Sequence, residues 1–190
     1  QDGAPDLYVC NDFDSPDRLW LNDGTGRFNA VPKTRIRQLS WFSMGVDFAD
    51  INRDGLDDFF VLDMLSRDHQ LRMNQSGILK RRIPVIGITD NRPQYVKNSF
   101  YLNRGHGFYS ETAFYSGLQA SEWAWATAFM DVDLDGYQDL LITNGNERDG
   151  RNIDIPSQLK RMRITRQMKR REILEARVAF PSLKTKNLAF

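Results

Sequence analysis

Asp50-Ile51-Asn52-Arg53-Asp54-Gly55-Leu56-Asp57-Asp58 is the stretch that decides the fold, and it recurs as Asp131-Val132-Asp133-Leu134-Asp135-Gly136-Tyr137-Gln138-Asp139. Both copies follow D-x-[DN]-x-D-G-x-x-D. The tail of a third, Asp2-Gly3-Ala4-Pro5-Asp6, opens the chain. Short oxygen-bearing side chains this dense repel one another unless a cation lies between them, and hard cations such as Ca2+ take about six to eight oxygen ligands. Positions 1, 3 and 5 offer carboxylate or amide oxygens, and Gly at position 6 permits the sharp turn around an ion. Position 7 would give its backbone carbonyl, and the Asp at position 9 would close the shell. The expected Ca2+ ligands are therefore Asp50, Asn52, Asp54, Leu56 and Asp58 in the first full loop. In the second they are Asp131, Asp133, Asp135, Tyr137 and Asp139, and in the partial copy Asp2, Ala4 and Asp6. A plain Asp-Gly hairpin turn accounts for Asp54-Gly55 and Asp135-Gly136 but not for the remaining oxygens.

An EF-hand needs an acidic residue at position 12, where this chain has Val61 and Ile142. The flanks are also wrong for helices. Phe59-Phe60-Val61-Leu62 and Leu140-Leu141-Ile142-Thr143 are short β-prone runs, as are Gly45 to Phe48 and Ala126 to Phe129 upstream. These are loops inside β-hairpins.

The repetition extends further. Arg18-Leu19-Trp20-Leu21-Asn22-Asp23-Gly24-Thr25-Gly26-Arg27-Phe28 pairs with Ser99-Phe100-Tyr101-Leu102-Asn103-Arg104-Gly105-His106-Gly107-Phe108. Each reads strand, N-x-G-x-G turn, strand. Each leads to an aromatic approach to the next acidic loop, Trp41-Phe42-Ser43-Met44-Gly45 or Glu122-Trp123-Ala124-Trp125-Ala126. Four short strands per unit with periodic Gly and aromatic marks predict a β-propeller blade. The fold class expected is all-β: a partial β-propeller of about three four-stranded blades with one basic helical insertion. Residues 1–150 carry the blades, with an insertion at about 66–97. Residues 151–182 form the helical, basic insertion, and 183–190 begin the next blade strand, at Asn187-Leu188-Ala189-Phe190. Propeller rings use about four to eight blades, so further blades are expected from flanking sequence or another chain.

With these marks in hand, the chain resembles FG-GAP/VCBS-repeat proteins, close to the cartilage-acidic-protein and ASPIC/UnbV group. The resemblance rests on Leu7 to Phe13, Leu19 to Phe28, Ser43 to Asp47, the two acidic loops and Thr143-Asn144-Gly145. It implies a propeller like the integrin α-subunit head, calcium in the blade loops, and an extracellular, cell-surface or periplasmic setting. The Phe-Gly and Gly-Ala-Pro marks of the repeat are reduced here to Met44-Gly45 and Trp125-Ala126.

Composition narrows the function. The 190 residues carry a net charge of +1, which gives no global field for polyanions. No recognised nucleic-acid module appears, which argues against nucleic acid. No apolar run is long enough for a transmembrane segment. The single Cys10 excludes a disulfide framework and reads as a small buried hydrophobe in a strand. Acidic residues gather in the loops and basic ones in the two insertions. Gln158 to Arg177 reads as a helix, started near Asp154 and Pro156 and stopped by Pro181, and Lys160, Arg163, Arg166 and Arg170 mark it as a candidate docking element. His69 beside Asp68 makes a dyad conceivable, and His106 reads as a turn residue. No G-x-S-x-G, phosphate loop or HExxH is present, so no enzyme is expected in these residues. The function expected is a calcium-binding, non-catalytic extracellular scaffold with a protein or glycan partner. The alternatives are a subunit docking through the basic helix, or an accessory domain of a secreted polysaccharide- or lipid-acting enzyme.

Overall fold

Short β-strands bounded by turns dominate the computed structural model, which describes residues 3–13, 15–75, 92–155, 157 and 170–190. Three antiparallel sheets carry most of it. The first joins β1 (Leu7–Val9), β2 (Arg18–Asn22) and β3 (Phe28–Ala30). A pair of two-residue strands, β4 (Leu39–Ser40) and β7 (Gln94–Tyr95), runs parallel. The central sheet has the order β5 (Gly45–Ala49), β6 (Asp58–Leu62), β8 (Ser99–Asn103), β9 (Tyr109–Glu111). The last joins β10 (Ala124–Met130), β11 (Asp139–Asn144) and β12 (Leu188–Ala189). These described sheets do not close a ring.

β6 explains how the sheets are held. All five of its residues are buried, so it shows no polar alternation, as befits a strand covered on both faces. Phe59 and Val61 point one way, into a cluster with Leu19 of β2, Ile36, Leu39 and Tyr101. Phe60 and Leu62 point the other way, toward Phe100, Ala124, Leu140 and Ile142. The first and last sheets thus pack on opposite faces of the central one. The Phe59 ring stacks on Tyr101 at 4.5 Å between centroids and meets Tyr8 at 5.0 Å. Each fully buried phenylalanine contributes about 1.5–3 kcal/mol.

The first strands of neighbouring units also meet. A Cβ on Gly45 of β5 would lie 3.7 Å from the Trp125 carbonyl oxygen of β10, so the two backbones approach within van der Waals contact. Beside them the Phe129 amide of β10 donates to Asp47 Oδ2 at 2.7 Å, a side-chain bond where no strand ladder runs.

The first insertion is more regular than its Gly and Pro content suggests. It contains α1 (His69–Gln75) and β7, whose two-residue pairing is too short to leave a pattern in sequence. Asp68 Oδ1 accepts the Leu71 amide at 2.9 Å, the geometry of a helix N-cap. That bond, rather than a dyad with His69, is the role the structure gives the Asp68 carboxylate. Of the basic residues expected to dock, Lys160, Arg163 and Arg166 lie outside the described residues, as does Asp2. Arg170 opens α2 (Arg170–Glu175), and a 3-10 turn over Ala176–Ala179 follows. The chain then bridges back, Ser182 to Arg148, and buries Leu183 before β12.

Candidate metal centre

Each acidic loop links two paired strands, β5 to β6 and β10 to β11, and the two are folded bond for bond alike. In the first, the Asp54 amide donates to Asp50 Oδ1 at 3.0 Å and to Asn52 Oδ1 at 3.1 Å. Gly55 donates to Asp50 Oδ2 at 2.9 Å and Leu56 to Asp54 Oδ1 at 2.9 Å. In the second, Asp135 donates to Asp131 Oδ1 at 3.0 Å and Asp133 Oδ1 at 3.2 Å. Gly136 donates to Asp131 Oδ2 at 2.8 Å and Tyr137 to Asp135 Oδ1 at 2.8 Å. Position 9 closes both: Ile51 donates to Asp58 Oδ2 at 3.2 Å, and Val132 to Asp139 Oδ2 at 3.0 Å. Positions 4 and 6 take the left-handed backbone region in each, with φ of 59° and 83° at Arg53 and Gly55, 63° and 86° at Leu134 and Gly136.

In the second loop these bonds bring three carboxylates together, whereas Asp50, Asp54 and Asp58 of the first are not gathered in this way. One oxygen from each of Asp131, Asp133 and Asp139 lies within 4.8 Å of the others, a set able to hold a metal ion. The donors are all hard oxygens, which suits Ca2+ rather than a softer ion. The first loop puts Asn52 where the second has Asp133, so it carries one charge fewer at position 3. Its amide donates to Asp54 Oδ2 at 3.0 Å. Burial pushes the Asp58 carboxyl above its ordinary range. The Asn103 and Ile51 amides oppose that shift, while the charges of Asp54 and Asp50 reinforce it. In the partial copy Gly3 has φ of 84°, matching the position-6 glycines, and Asp6 is exposed.

Position 9 has a second task that spacing alone did not reveal. Asp58 Oδ1 accepts the Asn103 amide at 2.8 Å, and the Asn103 side chain donates to the Asp57 carbonyl at 3.2 Å. Asp6 and Asn22 repeat both bonds, at 2.9 and 3.2 Å. The same asparagines then organise the Gly turns: Asn22 Oδ1 receives Gly24 and Gly26, and Asn103 Oδ1 receives Gly105. Position 9 therefore ties the acidic loop to the N-x-G-x-G turn of its own sheet.

A further recurring peg was missed in sequence. Five residues after position 9, the amides of Asn11, Asp63 and Asn144 donate to Asp17, Asn98 and Asn187, each at 2.8–2.9 Å. The acceptor in each case directly precedes a strand. In the outer sheets the asparagine also donates to a carbonyl, Pro16 or Lys186, at 2.8 Å. The Asp63 side chain makes no such bond, and there Ser40 Oγ reaches the equivalent Lys97 carbonyl at 3.0 Å. Asp63 instead receives the amides of Trp41 and Phe42 at 2.8 and 3.0 Å. Burial pushes its carboxyl up to about 7 against those bonds and the nearby Arg151 charge. The equal offsets from position 9 were the available signal.

Arg53, at position 4 of the first loop, reaches into the second. Its guanidinium donates to the Gly136 carbonyl and lies 3.7 Å from the centroid of the Tyr137 ring. The two acidic loops therefore stand side by side and are clasped.

No curated protein and no solved structure matches the chain. Residues 1–61, which hold the partial copy, the first Gly turn and the whole of the first acidic loop, match the family of FG-GAP-like repeats.

Proposed function

We propose that this chain is a calcium-holding segment of a β-propeller that serves as a non-catalytic, extracellular scaffold for a protein or glycan partner. The observation that carries the reading is the bond-for-bond identity of two acidic loops, one of which gathers Asp131, Asp133 and Asp139 within 4.8 Å. FG-GAP repeats commonly bind Ca2+, and residues 1–61 are of that kind. The three stacked antiparallel sheets, each repeating the same Asx peg, support reading them as successive blades. Kinship to the cartilage-acidic-protein and ASPIC/UnbV group is part of the same proposal, and rests on Leu19 to Phe28 and Ser43 to Asp47.

Each loop does its own part. Backbone amides fix the orientation of the carboxylates at positions 1 and 5. The Leu56 and Tyr137 carbonyls would complete the shell. A bound Ca2+ supplies the charge that relieves the mutual repulsion of these oxygens. The second loop, with Asp133 in place of Asn52, is the tighter site, because affinity rises with ligand charge.

Calorimetric titration with Ca2+ tests this directly. Two binding events are expected in the wild type, and none in Asp54→Ala combined with Asp135→Ala. Heat unchanged in the double variant would sink the assignment.

A further inference from the structure

A cavity of about 420 Å3 opens between α1, the β4–β7 pair and the turn that follows β9, and it shares no lining residue with either acidic loop. Leu65, Val96, Tyr95 and Phe114 supply its apolar wall. Phe114 is 67% exposed and Tyr95 48%, so core formation does not account for rings held at this mouth, where the Phe114 ring also faces Lys97 Nζ at 5.5 Å. Three cationic side chains also line it, Arg72, Lys97 and Arg151, and among the described residues no carboxylate does.

Two of these cations have counter-charges among the described residues. Glu111 pairs with Lys97 at 2.8 Å, and Asp63 and Asp149 act on Arg151. Arg72 is different. Its Nε donates to the Ser66 carbonyl at 2.9 Å, and among the described residues it has no carboxylate partner. The cavity thus joins an apolar wall to a guanidinium that no described carboxylate pairs, at a volume usual for small-molecule sites. A bare inorganic anion would leave the rings unused, and a neutral apolar molecule would leave Arg72 unanswered.

We propose that this cavity binds a small amphipathic anion: a carboxylate, taken by Arg72, on an aromatic or short aliphatic body covered by Tyr95 and Phe114. A guanidinium fork matches a carboxylate in geometry as well as charge. The site is independent of the calcium loops and of the scaffold reading.

The test titrates the full chain with octanoate, with indole-3-acetate and with neutral octanol. At least one of the two acids is expected to bind saturably, and whichever binds tighter identifies the body. Octanol is expected to bind at least about tenfold more weakly, the usual weight of a charge-assisted hydrogen bond. Arg72→Met should remove that preference while leaving octanol unchanged. Phe114→Ala, at an exposed position that folding tolerates, should weaken both acids with circular dichroism unaltered. Failure of both acids to bind, equal binding of octanol, or an undiminished acid preference in Arg72→Met each overturns the proposal.

Discussion

Burial pushes the Cys10 thiol up to about 12, with the nearby Asp17 carboxylate adding to the shift. Only the thiolate attacks an alkylating agent, so the native chain should react with iodoacetamide at pH 8 about a thousandfold more slowly than the unfolded chain. Cys10 lies just past β1 and is half-buried, rather than the fully buried strand residue expected. Comparable rates in buffer and in denaturant would show that the fold does not shield the sulfur. Asn98 is the sharper structural case. It is fully buried, receives the Asp63 amide, and donates to the Leu118 carbonyl and Ser121 Oγ, both at 2.9 Å. Asn98→Ala strands one buried donor and two acceptors, with an expected cost of about 3 kcal/mol. Urea unfolding should show the midpoint falling at unchanged slope, and an unmoved midpoint would refute the peg.

At the scale of elements, the acidic loops were legible because their chemistry is local. Four oxygen-bearing side chains, a glycine and two β-prone flanks all fall between Gly45 and Leu62, or between Ala126 and Thr143, and Val61 and Ile142 at position 12 excluded the helical alternative. The central strand was legible for the same reason, since Phe59 to Leu62 form an unbroken apolar run. What stayed hidden depends on pairs far apart in the chain. Nothing near Arg53 announces that it will lie on Tyr137, and β4 and β7 are two residues each, shorter than any period. Asp68 beside His69 made a dyad conceivable, and the structure shows the Asp68 carboxylate capping a helix, because a carboxylate before a helix finds backbone amides. The Arg53 clasp is open to a direct check. Arg53→Met keeps the stem but removes the charge and the donor, at about 1–2 kcal/mol of local stability. Amide exchange at Gly136 and Tyr137 should quicken while the β6 amides hold their protection; equal protection at all of them would show that the clasp bears no weight.

For the molecule as a whole, the acidic loops lead directly into β6 and β11, which lie in the two sheets that share the Phe60 and Ile142 core. Filling them should therefore stabilise the shared core and not only the turns. At Ca2+ a hundredfold above the dissociation constant, linkage gives about 2.7 kcal/mol per site. For a chain of this size each kilocalorie moves the melting temperature by about 2–4 °C. A rise of roughly 5–20 °C on adding Ca2+, reversed by EDTA, is the expected result. A melting curve indifferent to both would leave the loops without a structural role. The Asp47 bond to the Phe129 amide has a different consequence. An unanswered amide on an outlying strand invites a stranger's backbone to pair with it, the first step of fibril growth, and a charge pointed at that position discourages it. By occupying that amide, Asp47 leaves β10 one fewer open group for a foreign strand to pair with, besides holding two sheets in step.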